Sequence, residues 1–216
     1  MSRIKRTLQK RFVVFCEGDT EYNYINAMRK NAGVQVILKP INMKGGGYLN
    51  FLKKIKTESP TDCLAKFIIV DGDRINNDAQ EKKYFKQLLD YCKIQNQRRD
   101  VPIFLIVNNP DFEYVACLHF ENYKNQQSDK FLTNELSCQS IDQFKGNQDI
   151  YKILNTDGRS YQLAQKRLVN APKLVANLYI VKKKSFEIMM RQTIYDAEAE
   201  SQKSSNMDEF FDVINW

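Results

Sequence analysis

The stretch KFIIVDGDR, residues 66–74, decides the fold class of this chain. Its run FIIV is apolar on both faces, as a strand buried in a parallel sheet requires. Acidic residues follow at once, because Asp71 and Asp73 flank Gly72 where the strand ends. In α/β sheets the ligand-binding groups collect at the carboxyl ends of the strands, so this turn is the first place to look for chemistry.

Further apolar runs with the β-branched and aromatic content of strands lie on both sides of this one, at RFVVFC (11–16), VQVILKPINM (34–43) and PIFLIV (102–107). Helical periodicity fills the intervals, at about 19–30, 48–56 and 78–99. The alternation predicts an α/β fold, a Rossmann-like parallel sheet of about four strands with flanking helices. Pro40 is expected to end the second strand, and Pro110 to open a helix after the fourth.

The pattern changes after about residue 123. Residues 124–147 are polar, rich in Asn, Gln and Ser, and are interpreted as an irregular insertion or a lid. Helices are expected at about 147–155, 159–170 and 178–200. The chain is therefore divided into a catalytic domain, 1–125, and a mostly helical extension, 126–216, packed on it. The aromatic tail SSNMDEFFDVINW (204–216) is expected to dock on a neighbouring element or a partner chain.

Composition excludes several classes of site. There are five cysteines without a CxxC pair, and His119 is the one histidine, so a disulfide framework or a zinc site is disfavoured. A metal would have to be held by carboxylates, which favours Mg²⁺ or Mn²⁺. His119 itself shares a helix face with Val115 and Leu118, and is interpreted as structural rather than catalytic.

Charge and hydropathy bear on location and partners. The first twelve residues are basic and lack the apolar stretch of a secretory signal, and no apolar run approaches the ~18–20 residues that span a bilayer. A cytoplasmic protein without membrane contact is expected. The net charge of +7 is a mild indication of a polyanionic partner such as RNA or DNA. Besides the basic first eleven positions, the candidate nucleic-acid-binding residues are Lys44, Arg74, Lys182, Lys183 and Lys184.

Acidic residues stand at three predicted strand ends. Glu17 follows the first strand, Asp71 and Asp73 the third, and Glu113 lies in the helix after the fourth. Each acid alone would be an ordinary turn or capping residue. Together on one edge of a parallel sheet they would repel one another unless a hard cation lay between them. The sequence therefore predicts a carboxylate metal site at this edge.

These segments resemble known families. Glu-Gly after the first strand and Asp-x-Asp after the third resemble the Toprim domain of topoisomerases, primases and certain nucleases. EGDTEYNYINAMRK (17–30), IIVDGDR (68–74) and IVNNPDFEYVACLHFENY (106–123) resemble, in order, the motifs of the RloB-like family. FKGNQDIYKIL (144–154) is similar to that family's Lys-containing segment. The resemblance implies a bacterial phage-resistance protein with metal-dependent phosphodiester cleavage, and related effectors cut RNA, including transfer RNA.

The candidate catalytic residues take the following roles. Glu17 is a metal ligand or the general base, Asp71 the principal ligand, and Asp73 a second or water-mediated one. Glu21, one helical turn after Glu17, and Glu113 are placed to assist a second ion. Lys145 is expected to neutralise charge on the phosphate in the transition state.

Other interpretations stay open at this point. One is a non-catalytic module that senses a nucleotide or nucleic acid. Another is a phosphohydrolase with Asp71 as covalent nucleophile, although such enzymes place their Asp-x-Asp after the first strand. Gly45-Gly46-Gly47 could bring backbone N–H groups to a phosphate, but a flexible connector is favoured because no nucleotide-binding motif matches. A partner ATPase or another defence-system protein, and an oligomeric state, are left open.

Overall fold

The computed structural model describes residues 11–31, 37–57, 63–98, 101–185 and 187–215. Four parallel strands form the main sheet: β1 (Arg11–Cys16), β2 (Ile37–Asn42), β3 (Ala65–Asp71) and β4 (Ile103–Asn109). They lie in the order β2-β1-β3-β4, and the short strand β7 (Ser204–Ser205) adds antiparallel to β4. This mostly parallel five-stranded sheet confirms the predicted Rossmann-like α/β class.

Pro40 does not end its strand. It lies inside β2, paired with Val14 of β1. β2 is the edge strand of the sheet, where a residue without an N–H is tolerated because no outer partner needs that donor.

Helices cover both faces of the sheet. The helices α2 (Gly47–Thr57) and α4 (Ala79–Gln97) pack on one face around Phe15, Ile68 and Leu105. The opposite face holds one continuous core, to which Phe67 and Ile69 contribute. The remaining helices are α1 (Asp19–Asn31), α3 (Asp73–Asn77), α5 (Phe112–Cys117), α6 (Ser128–Glu135), α7 (Ile141–Lys145), α8 (Ile150–Ile153), α9 (Tyr161–Leu168) and α10 (Met207–Ile214).

The helix after β4 begins later than predicted. Pro110 follows Asn109 through a cis peptide bond and precedes the helix. Asp111 is the N-cap of α5, since its Oδ1 accepts a hydrogen bond from the N–H of Tyr114 at 3.1 Å. The carboxylate therefore satisfies one of the open N–H groups that a helix start presents.

Two predictions for the second half of the chain are wrong. Residues 124–147 contain the helices α6 and α7, and their Phe131, Leu132 and Phe144 are buried in the core rather than forming an irregular segment. The helix expected at 178–200 is an antiparallel hairpin of β5 (Val175–Lys182) and β6 (Glu187–Tyr195). Alternating burial along β5 and its β-branched and aromatic residues are the strand signals that a helical interpretation overlooked.

The aromatic tail docks on its own sheet. Phe210 of α10 contacts Phe67 of β3 edge-on, with ring centroids 5.0 Å apart, and Phe211 contacts Tyr161 of α9 at 5.4 Å. Both phenylalanines are fully buried. Trp216, the last residue of the predicted docking segment, lies outside the described residues.

A buried polar network joins this tail to the outer edge of β4. The amide of Asn206 accepts from the N–H of Val107 at 2.8 Å and donates to the carbonyl of Leu105 at 2.9 Å. Asn177 of β5 donates to the same carbonyl at 3.0 Å, and Glu209 accepts from the side chains of both asparagines. Side-chain amides thus satisfy backbone groups of β4 where no neighbouring strand pairs with them.

Candidate acidic site

The strand order determines where the acidic residues lie. In the sequence β2-β1-β3-β4 the order reverses between β1 and β3, which creates a crevice outside the carboxyl ends of these two strands. Glu17 directly follows β1, and Asp71 is the last residue of β3. The two acids that the sequence singled out therefore stand on either side of the crevice in which α/β sheets bind ligands.

Glu17 is fixed to the end of β3. Its Oε2 accepts a hydrogen bond from the backbone N–H of Asp71 at 2.8 Å, while its own N–H donates to the carbonyl of Ile69 at 3.1 Å. The residue is 8% exposed. Burial raises the pKa of Glu17 to about 7, and the nearby carboxylate of Glu21 adds to this rise. The hydrogen bond from the N–H of Asp71 lowers the pKa and so partly opposes it.

Glu21 lies beside them, in the first turn of α1. Its Oε2 accepts from the N–H of Gly18 at 3.1 Å, so the carboxylate also satisfies a free backbone donor at the helix start. Burial raises the pKa of Glu21, and hydrogen bonds from the backbone N–H groups of Glu21 and Gly18 partly offset that rise.

Asp71 is the centre of the cluster. Its pKa is raised well above the usual range by burial and by the carboxylates of Glu21, Glu17 and Glu113. Its Oδ1 atom is buried and has no hydrogen-bond partner in the part of the chain that the structure describes. A buried oxygen without a donor, surrounded by like charges, is costly unless a proton or a cation accompanies it.

Glu113 and Lys145 form the opposite wall of the site. Glu113, in the first turn of α5, is 2% exposed, and its Oε2 lies 3.5 Å from Nζ of Lys145 at the end of α7. Burial and then Asp111 raise the pKa of Glu113 to about 7, although Lys145 opposes this. Burial would lower the pKa of Lys145, but the surrounding carboxylates raise it instead, so the ammonium is held in its charged form.

Asp73 and Asp111 occupy the rim. Asp73 begins α3 and is exposed, yet its charge contributes to the raised pKa of Glu17. Asp111 was not predicted, although its charge raises the pKa of both Asp71 and Glu113. The signal that could have found it is its position directly after Asn109-Pro110, at the cap of the helix that carries Glu113.

The predicted basic residues separate into two places. Arg74 lies at the acidic site, with Nη2 4.0 Å from Oε1 of Glu17, and Lys44 is exposed in the loop after β2. Lys182, Lys183 and Lys184 are exposed at the tip of the β5-β6 hairpin. The N-terminal basic cluster, apart from Arg11, lies outside the described residues.

The hairpin tip is remote from the carboxylates. Asn177 hydrogen-bonds to Leu105, and Tyr179 packs on Phe104 with ring centroids 5.0 Å apart. Strand β5 therefore runs from the middle of β4 toward its amino end. The three lysines follow at the end of the sheet opposite the acidic site.

The glycine run is a fixed turn rather than a flexible connector. Gly45, Gly46 and Gly47 all have positive φ, and the N–H of Gly45 donates to the carbonyl of Glu17 at 2.9 Å. The first turn of α2 already holds an anion, because Glu81 accepts from the N–H of Tyr48 at 2.9 Å. Gly47 has a φ of +78°, a backbone conformation that favours glycine, and a Cβ there would also lie 2.7 Å from that carboxylate. The phosphate cradle that the sequence allowed is occupied by Glu81.

His119 is a structural residue, as interpreted. It is fully buried, its Nδ1 donates to the carbonyl of Val115 at 3.0 Å, and its Nε2 accepts from the hydroxyl of Tyr24 at 2.9 Å. Burial lowers the pKa of His119 to about 4, so the ring is neutral at physiological pH.

Among the described residues, no three or more His, Cys, Asp or Glu side chains stand in an arrangement that could hold a metal ion. The helices in this described part of the chain are all too short or too polar to cross a bilayer.

Fold and site together define a Rossmann-like α/β protein with a buried acidic cluster at the switch point of its sheet. The family model described as RloB-like protein matches residues 12–212, which is most of the chain. The chain therefore belongs to the RloB-like family. No curated protein and no solved structure gives a significant match.

Proposed function

We propose that this chain is a Mg²⁺- or Mn²⁺-dependent nuclease of the Toprim type that acts in bacterial anti-phage defence. RNA is favoured as substrate over DNA, with transfer RNA among the candidates, on the resemblance to related effectors. The observation that carries the proposal is the convergence of Glu17, Glu21, Asp71 and Glu113 on the crevice between β1 and β3. Buried carboxyl groups with raised pKa values, gathered in one crevice, are typical of functional sites.

The donors are of the type that a hard divalent cation prefers, and binding one would require the carboxylates to move together, because no three of them are arranged to hold a metal among the described residues. All the groups at the centre are carboxylate oxygens, which Mg²⁺ and Mn²⁺ prefer, and the buried Asp71 Oδ1 has no hydrogen-bond partner among the described residues. Asp71 and Glu21 would hold the ion, with Asp73 reaching it through water, and Glu17 would act as the general base. Such an ion polarises a phosphoryl oxygen and lowers the pKa of a bound water.

The chain's own residues supply the remaining functions. Glu17, with a pKa of about 7, can accept a proton from an attacking water near neutral pH, and the bond from Asp71 orients its carboxylate. Lys145, kept charged by its carboxylate neighbours, can hold negative charge on the phosphoryl oxygens. Arg74, half-buried beside Glu17, can position the phosphate group.

The competing function is a sensing module that binds nucleic acid or a nucleotide without cutting it. One experiment separates the two. Purified protein is incubated with transfer RNA, total RNA, single-stranded DNA and supercoiled DNA in Mg²⁺, Mn²⁺ or EDTA, beside Asp71→Asn and Glu17→Gln. Cleavage that requires the metal and both carboxylates is expected. Cleavage that survives in both variants would exclude this site, and metal-independent binding without cleavage would favour the sensor.

A further inference from the structure

A second cleft adjoins the acidic site on the far side of α5. Its volume is about 270 Å³, and it is open to solvent. The residues that line it are Tyr114, Leu118, Tyr123, Lys124, Asn125 and Arg167. Arginine, lysine and tyrosine side chains are among the groups with which proteins contact the phosphates and sugars of a nucleic acid.

One wall of the cleft is held rigid from behind. Nζ of Lys203 donates to the hydroxyl of Tyr123 at 3.1 Å and to the carbonyls of Asn125 and Gln126 at 3.3 and 2.7 Å. The same ammonium lies 6.0 and 5.7 Å from the ring centroids of Tyr114 and Tyr123. The wall is therefore ordered before a ligand arrives, which reduces the entropy that binding would cost.

The cations of the cleft are available to an anion. Nη2 of Arg167 donates to the backbone carbonyl of Glu121 at 2.8 Å, which anchors the guanidinium and uses one of its five N–H donors. The backbone N–H of Lys124 donates to Oε1 of Gln126 at 2.8 Å, and the residue is exposed. Tyr114 and Tyr123 are buried, and the Lys203 ammonium lies close to both rings, so neither ring is a free stacking platform.

A short helix connects this cleft to the acidic site. Glu113, which faces Lys145, and Tyr114, which lines the cleft, are consecutive residues of α5. Asp111 belongs electrostatically to the carboxylate cluster and caps the N–H of Tyr114. These neighbouring positions on α5 put the two sites on one short element, and joint use of both sites requires that a strand with one phosphate at the carboxylates place a neighbouring nucleotide at the cleft.

We propose that the cleft binds a nucleotide that flanks the cleaved phosphodiester, with Arg167 and Lys124 on its phosphate and Tyr114 at its sugar or base edge. This rests on the proposed function for its place in the reaction, but binding at the cleft is measurable without cleavage. The expected ligand is a single strand, because a cleft of about 270 Å³ admits one nucleotide rather than a duplex.

The test uses Asp71→Asn protein, to prevent cleavage, and fluorescent single strands of about 12 nucleotides, within the range such sites cover. Arg167→Gln is compared with Lys166→Gln, which removes the same charge from the exposed neighbouring residue of α9. The Arg167 variant should bind about 5- to 10-fold more weakly and lower the slope of log affinity against log salt by about 0.7, as the loss of one phosphate contact on a single strand requires. The Lys166 variant should change affinity less than about 2-fold.

Equal effects of the two variants, or no binding of any single strand, would overturn the proposed cleft. Cross-linking of a 4-thiouridine-labelled strand supplies an independent measurement, and tyrosine adducts at Tyr114 or Tyr123 are expected. If wild-type protein cuts no substrate while the Arg167 defect persists, the nuclease proposal fails and the cleft stands. If wild-type protein cuts and both variants bind alike, the cleft fails and the nuclease proposal stands.

Discussion

Glu17 Oε2 lies 2.8 Å from the backbone nitrogen of Asp71, a hydrogen bond across 54 residues of sequence that joins the ends of β1 and β3. This hydrogen bond holds Glu17 against the end of β3, which carries Asp71, so the carboxylates of the two residues cannot move apart to relieve their repulsion. The site therefore stores unfavourable electrostatic energy in the folded chain, as functional sites commonly do.

Removing one charge from the cluster should stabilise the protein. Asp71→Asn is expected to raise the free energy of unfolding by about 1–3 kcal/mol at pH 8 without divalent ions, because each tenfold change in the acidity of a carboxyl group corresponds to about 1.4 kcal/mol. Urea denaturation measures the change. Asp73→Asn, at an exposed position, serves as control and should stay within about 0.5 kcal/mol of wild type. A destabilised Asp71→Asn protein would contradict the clustering of like charges.

Divalent ions should stabilise the wild type for the same reason. At 100 times its dissociation constant a ligand specific to the folded state adds about 2.7 kcal/mol, so Mg²⁺ or Mn²⁺ should raise Tm and EDTA should reverse the rise. Glu21→Gln and Asp71→Asn should abolish the effect. Potassium chloride of equal ionic strength is the control, and an equal Tm rise in the variants would indicate binding elsewhere.

Stability should fall as pH rises from about 4.5 to 7. Glu17 and Glu113 have pKa values of about 7 in the folded chain, against an ordinary 4.5, so in this window the folded chain binds more protons than the unfolded one. The free energy of unfolding then decreases by at most about 1.4 kcal/mol per pH unit for each carboxyl. His119, with its pKa lowered to about 4, acts in the opposite direction between 4 and 6.5.

A double variant isolates the contribution of these two carboxyls to the pH dependence. Glu17→Gln/Glu113→Gln keeps His119 and the raised pKa values of Asp71, Glu21 and Glu209, so its downward slope between pH 5 and 7 should be shallower than that of wild type by at most about 1.4 kcal/mol per pH unit for each removed carboxyl. Denaturation curves at pH 5, 6, 7 and 8, without divalent ions, measure both proteins. Parallel curves for the two would show that neither carboxyl titrates in this range.

Lys145 should affect the rate of cleavage more than stability. Lys145→Gln is expected to lower kcat by about 10²–10³-fold, the usual cost of removing one donor to developing charge. The side chain is 42% exposed, so its ion pair with Glu113 contributes little to stability. Lys152→Gln, an exposed lysine of α8, is the matched control. Retention of full kcat in Lys145→Gln would remove Lys145 from the mechanism.

His119 should affect stability more than the rate of cleavage. His119→Phe leaves the buried hydroxyl of Tyr24 without its His119 partner, while the carbonyl of Val115 keeps the N–H of Leu118 at 3.1 Å, so the expected cost is about 1–3 kcal/mol. The specific activity of the folded fraction should match wild type, measured after correction for the fraction unfolded. A large loss of kcat in fully folded protein would assign His119 to catalysis.

The first half of the chain was predictable because local pattern and tertiary structure agree there. Apolar runs such as residues 66–70 are buried on both faces, and polar turns directly follow them, so both the strands and the acidic edge could be inferred. Asp111 could not be inferred in this way, because the sequence does not distinguish an aspartate that only caps a helix from one that also belongs to a functional site. The hairpin at 175–195 was missed since its exposed Leu178 and Ile180 add apolar residues to an otherwise polar, helix-like composition.

Pairing between distant segments was also beyond sequence reasoning. Nothing in the run Lys182–Lys184 says which end of the sheet it reaches; that follows from the contact of Tyr179 with Phe104. Likewise Glu209 resembles a surface acid of an amphipathic helix. It is buried only because Asn177 and Asn206 donate to it along the edge of β4.

That edge has a consequence for the order in which the molecule is made. The N–H of Val107 donates to the side chain of Asn206, which lies 99 positions later in the chain. The hydroxyl of Ser205 donates to Asn108, beside the acidic site. A ribosome that has just completed β4 holds a strand whose outer backbone groups still lack these partners. The outer edge of β4, next to the carboxylates, is therefore completed only after residues 205 and 206 have been synthesised.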